Sequence, residues 1–129
     1  MRISDIMRTG RRNAVIASGR TVKEALLAMT AAKSGSISIV DTRGRLVGIF
    51  TDGDLRRSLQ AQGPSAMEKE ICSLMTAHPT TIPQHILAWD AMKIMQKDPK
   101  KWIMVTPVVE NGKVVGILHM HDIISAGIN

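Results

Sequence analysis

Apolar positions along the chain follow helical and strand periods in turn. Val22, Ala25, Leu26, Met29 and Ala32 recur at helical spacing and predict one buried helix face. Thr21 and Glu24, three apart just ahead of that stripe, have the signature of a capping box. Ala14-Val15-Ile16 reads as a short strand, and Ser36 to Asp41 and Leu46 to Phe50 read as two more around the turn Thr42-Arg43-Gly44-Arg45. Thr51 then caps a last helix, with Asp54 at its third position. The order returns further on. Thr80-Thr81-Ile82 predicts a short strand, and Ala88, Ala91, Met92 and Met95 a helix stripe. Met104 to Val109 and Val114 to Leu118 flank the turn Glu110-Asn111-Gly112-Lys113, and Met120 to Ala126 predicts the closing helix.

The recurrence is an internal repeat. Met7 and Met75, Gly44 and Gly112, Gly48 and Gly116, and Asp54 and Asp122 are each 68 positions apart. Ser4-Asp5-Ile6-Met7 aligns with Cys72-Ser73-Leu74-Met75, while the helix stripes align at an offset of 66, Ala25 with Ala91. Each copy reads strand, helix, strand, strand, helix. Two copies are too few for a solenoid. Each copy alone is marginal in size, so the two are expected to share one core across a pseudo-two-fold axis. The expected division is 1–62 for the first copy, 63–70 for a linker around Gly63-Pro64-Ser65, and 71–129 for the second.

Composition narrows the class. The 129 residues are 44% hydrophobic and 22% charged, a globular balance. No apolar run reaches 18 residues, which excludes a spanning helix, and MRISDIMRTG lacks the apolar core of a secretory signal. One cysteine, Cys72, excludes an internal disulfide framework and fits a reducing, cytoplasmic setting. Residues 1–63 hold 11 basic and 5 acidic side chains, whereas 64–129 hold 6 of each. All nine arginines lie between Arg2 and Arg57. That asymmetry suits either a solvated basic face or an anionic ligand beside the first half. Phe50, Trp89 and Trp102 are the only aromatics, few for a single-strand stacking platform, and no recognition-helix or RNA-binding motif is visible.

The segment Gly48-Ile49-Phe50-Thr51-Asp52-Gly53-Asp54, followed by Arg57, is the foremost candidate site. A strand ends there and a helix begins, so amides and the helix dipole favour an anion. Gly48 permits close approach of a ligand or of another backbone. Thr51 offers a hydroxyl, and Asp54 can accept from a ribose diol. The alternative is that Thr51 and Asp54 only cap the helix. In the second copy, His119 stands in place of Thr51 and Asp122 keeps the carboxylate. His119 and His121 invite a metal reading, but no third ligand is evident, and capping by His119 or Asp122 or an anion contact is favoured. Val15, Ile16, Thr80 and Thr81 are candidates because their short strands should border the clefts. No catalytic constellation is found: no nucleophile elbow, no P-loop, no H-E-x-x-H.

Gly-Ile-Phe-Thr-x-x-Asp at 48–54 and Gly-Ile-Leu-His-x-x-Asp at 116–122 resemble a tandem pair of CBS domains, over residues 4–127. More narrowly, 48–57 and 116–128 are similar to the C-terminal region of bacterial D-arabinose-5-phosphate isomerases, in which a sugar-isomerase domain precedes a CBS pair. The resemblance implies an α/β fold of two βαββα units about a pseudo-two-fold axis and a homodimer of pairs. It also implies clefts that bind nucleotides and regulate an attached or associated isomerase domain, with no cofactor required. It places Thr51 and Asp54 at phosphate and ribose positions and Asp122 at a second ribose position; His119 departs from the usual threonine or serine. The family's reaction, D-ribulose 5-phosphate to D-arabinose 5-phosphate, feeds the Kdo sugar of lipopolysaccharide. CMP-Kdo or an adenine nucleotide is therefore the expected ligand. The chain alone is not expected to be an enzyme. A ligand-free oligomerisation module and a nucleic-acid-binding protein are the competing readings.

Overall fold

A computed structural model describes residues 1–128. Its elements are α1 (Ile3–Ile6), β1 (Val15–Ala17), α2 (Val22–Ala32), β2 (Ser36–Val40), β3 (Leu46–Thr51), α3 (Asp52–Gln62), β4 (Thr76–Ala77), α4 (Ala88–Met95), β5 (Val105–Glu110), β6 (Lys113–His119) and α5 (Met120–Ser125). Short 3-10 turns lie at Gly10–Arg12, Gly63–Glu68 and Ile71–Ser73.

The chain forms two compact units whose boundaries cross the repeat. One runs from Arg11 to Pro79; the other joins Met1–Gly10 to the chain from Thr80 onward. Residues 63–70, expected as a linker, lie within the first of these and include the turn Gly63–Glu68. Each copy has thus handed its leading segment to the other unit.

In the Arg11–Pro79 unit the sheet order is β1-β2-β3-β4, with β1 parallel to β2 and the other pairs antiparallel. Thr21 caps α2 through a full capping box with Glu24, as the spacing predicts. Val22, Ala25, Met29 and Ala32 bury one face of α2 against Ile37 and Ile39 of β2, Phe50 of β3 and Ile71. Leu26 packs at the edge of this core. The turn after β2 is held by Asp41, whose Oδ1 accepts from the amides of Arg43 and Arg45, both at 2.9 Å. Those amide bonds, Arg45's first, hold the Asp41 carboxyl below its usual range.

In the other unit β5 and β6 form a hairpin closed by Asn111 and Gly112, both with positive φ (52° and 79°), as a primed turn requires. Ala88, Ala91, Met92 and Met95 of α4 pack with Ile3, Ile82, Val108, Leu118, Met120 and Ile123. The strand expected at Thr80–Ile82 is reduced to one parallel bridge, Ile82 to Val108. Pro79 and Pro83 flank it and donate no amide, which keeps a ladder from running past it on either side. The amides of Ile3 and Ser4 donate to the carbonyls of Ile86 and Gln84 at 3.0 Å, which ties the leading segment to this unit. Trp89 lies outside the core, its ring 5.4 Å from the Lys93 ammonium.

Candidate functional site

Gly48, Thr51, Asp52, Gly53, Asp54 and Arg57 come together where β3 runs into α3. Thr51 is the cap of α3, and its Oγ1 accepts from the Asp54 amide at 3.2 Å. Asp54 Oδ2 accepts in return from the Thr51 amide at 3.0 Å and from its hydroxyl at 3.2 Å. The capping reading of this pair is therefore realised in full. The Asp52 amide donates to the Gly35 carbonyl at 2.9 Å. At least two of the helix's first amides are thus engaged, so fewer remain for an anion than the sequence left open.

The second oxygen of Asp54 has a different surrounding. Oδ1 accepts from Arg57 Nη2 at 2.8 Å and from the Thr76 hydroxyl at 3.2 Å. Asp54 is 10% exposed along its side chain, but Arg57 is 66% exposed. A buried carboxylate here faces one exposed cation and one hydroxyl. Thr76 was not singled out by the sequence, yet the signal was present, because it follows Met75 in the aligned leading segment.

Gly48 serves the approach of a backbone. A β-carbon on it would lie 2.9 Å from the Thr76 carbonyl oxygen and would overlap the Met75 sulfur. Gly48 pairs with Ala77 across β3 and β4. Gly116 does the same for the other leading segment: its β-carbon would lie 2.7 Å from the Met7 sulfur and 3.0 Å from the Arg8 carbonyl oxygen. Arg8 and Ile117 exchange backbone hydrogen bonds at 2.8 and 3.0 Å.

Arg8 holds the equivalent of the position of Thr76, and it meets the second motif. Its Nε donates to Asp122 Oδ2 at 2.8 Å and its Nη2 to Oδ1 at 3.2 Å. The two side chains are 16% and 21% exposed. His119 begins α5 without a side-chain cap hydrogen bond, so of the capping and anion-contact alternatives its own capping is not realised; an imidazole does not present a short-reach hydroxyl to the third amide. Among the described residues no group of three or more His, Cys, Asp or Glu side chains is placed to hold a metal.

The remaining candidates are spread. Val15 and Ile16 lie on β1, two strands from β3 in the same sheet. Ile16 packs against the core, and Val15 is exposed. Thr81 is exposed. Thr80 gives its carbonyl to the buried Thr106 hydroxyl at 2.6 Å and borders a cavity of about 600 Å³.

The CBS domain family matches residues 3–61 and 69–129, nearly the whole chain. The chain belongs to the CBS domain family. It is 38% identical over 128 residues to "Arabinose 5-phosphate isomerase KdsD" of Pseudomonas aeruginosa and 36% identical to the protein of the same name in Yersinia pestis. Each match covers 99% of this CBS pair and 38% of the relative, so the chain spans well under half of those proteins. Among solved structures, the CBS pair of protein MJ0100 in complex with 5′-methylthioadenosine and S-adenosyl-L-methionine superposes with a TM-score of 0.82. It is 25% identical, covering 98% of this chain and 95% of that one. CBSX2 of Arabidopsis thaliana in complex with AMP matches at a TM-score of 0.77 and 25% identity, covering 98% and 95%. The helix–strand repeat, the exchanged leading segments and the paired Gly…Asp motifs are thus features of a CBS pair. No helix among the described residues is long and apolar enough to cross a membrane.

Proposed function

We propose that this CBS pair is the ligand-sensing regulatory region of a D-arabinose-5-phosphate isomerase, binding a nucleotide such as CMP-Kdo or an adenine nucleotide. The supporting observation is identity of 36–38% to named isomerases across 99% of the chain. The adenosine ligands of the two solved CBS relatives support a nucleotide as the class. On this reading the chain's part is to bind a ligand and to change the equilibrium of an isomerase domain. A homodimer of pairs in the cytoplasm is the setting this reading implies.

Asp54 is the residue on which it turns. Oδ2 stays on the Thr51 cap, while Oδ1 can exchange Thr76 and Arg57 for a ribose hydroxyl. Arg57, released to solvent, is then available to a phosphate, with Thr51, Asp52 and Gly53 at the helix start beside it. In this reading Gly48, Val15 and Ile16 are further candidates for the first site and Thr80, Thr81, His119 and Asp122 for the second, where Arg8 already holds the Asp122 carboxylate. One nucleotide per chain is the expected stoichiometry.

Calorimetry with CMP-Kdo, AMP and ATP tests the reading; heat from at least one is expected, and none from all three overturns it. Asp54→Ala should weaken the binding nucleotide by about 1–3 kcal/mol, the range for a charge-assisted hydrogen bond. Unchanged affinity in a folded variant would reduce Asp54 to a cap.

A further inference from the structure

The two copies differ most between their first helix and the strand that follows. Three residues join α2 to β2, but nine, Gln96 to Met104, join α4 to β5. The longer connection is ordered by its own hydrogen bonds. Asp98 Oδ1 accepts from the Lys100 amide at 3.0 Å, the Lys101 amide donates to the Asp98 carbonyl at 3.1 Å, and the Ile103 amide returns to the Met95 carbonyl at 2.8 Å. Pro99 stiffens the turn further. The loop therefore stands away from the helix end and leaves the 600 Å³ cavity between them, of a size that takes a small metabolite.

Ile94, Met95 and Ile103 form the apolar wall of that cavity, Thr80 borders it, and Lys97 and Lys101 line it with their charge. Neither lysine has a carboxylate partner among the described residues, and Asp98 is the one acid in the lining. Two exposed lysines in the lining of a partly apolar hollow suit a ligand with a concentrated negative charge at one end and a less polar body. Lysine acts toward phosphate as such a point charge.

We infer that this copy-specific loop builds a phosphate-binding pocket, in which Lys97 and Lys101 take the phosphate of a small phosphorylated molecule whose organic part lies on Ile94, Met95 and Ile103. The inference rests in part on the ligand-sensing reading, and it deepens it by giving the second copy a polar anchor away from Asp122.

Amide-resolved NMR titration with pyrophosphate at constant ionic strength tests the pocket without a nucleotide. Shifts should concentrate at Thr80 and at 94–103. Lys97→Gln with Lys101→Gln should weaken the response at least about tenfold at an unchanged melting temperature. Lys100→Gln, which removes the same charge from the same loop outside the lining, should leave it unchanged. Shifts spread over the basic surface, a loss under twofold in the double variant, or an equal loss in Lys100→Gln would each overturn the pocket. Pyrophosphate mapping here while no nucleotide gives heat would defeat the nucleotide reading and leave this one standing. Nucleotide heat with no pyrophosphate response at this loop would do the reverse.

Discussion

Asp54 and Asp122 occupy the same place in two copies of one motif and meet different fates. Each is reached by the residue after a methionine in the exchanged leading segment: Thr76 for Asp54, Arg8 for Asp122. Thr76 brings a neutral hydroxyl, and the other partner of that carboxylate oxygen is the exposed Arg57. Arg8 brings a planar fork that engages both oxygens, in a setting where little water screens the pair. One difference at an equivalent position thus gives a pair of like carboxylates different partners, a hydroxyl and an exposed arginine for Asp54 and a two-point arginine fork for Asp122.

Gly48→Val and Gly116→Val test what the copies share. Both should lose about 1–3 kcal/mol in urea unfolding, because a side chain there meets the backbone of the leading segment. Retention of near wild-type stability by either would show that its leading segment can be displaced. The carboxylates then separate the copies. Arg8→Ala should cost about 1–3 kcal/mol by leaving a largely buried charge without its fork, whereas exposed Arg57→Ala should cost under about 1 kcal/mol. Equal costs would erase the distinction. Arg8→Thr combined with His119→Thr makes the second motif resemble the first. In calorimetry with a binding nucleotide it should raise the stoichiometry from one toward two, and an unchanged value would mean that Arg8 is not what closes that end.

The smallest effect concerns the capping boxes. Glu24 caps α2 as Asp54 caps α3, but a hydrogen bond from Arg20 and then the Thr21 amide hold its carboxyl down to about 2 from an ordinary 4.5. A group depressed on folding stabilises the protein above its unfolded value and loses that contribution as the pH falls from about 4.5 toward about 2. Melting temperatures across that window should fall less steeply in Glu24→Gln than in the parent. Parallel curves would show that the Arg20–Glu24 contact is absent in solution.

Both capping boxes, the helix stripes and the hairpins were legible because each is a local device written within a few neighbouring residues. The destination of Met1–Gly10 and of Ile71–Pro79 was not. A repeat states which segments are alike, not which half each one covers, and the two-residue strand Thr76–Ala77 has no period to read. Thr80–Ile82 carries strand-forming residues, yet the prolines around it leave a single bridge. Of the candidate site, the helix-start cluster was readable in order and spacing. Arg8 and Thr76 were not, since their partners lie 114 and 22 positions away.

The crossed leading segments bear on how such a chain could be divided. Severed near residue 68, neither fragment would own a finished sheet edge: one would carry Met1–Gly10 without the strand that receives it, the other Thr76–Ala77 without Gly48. The two halves of this sequence are copies, but each folded unit is a joint work of both, so they should regain their shape only in each other's company.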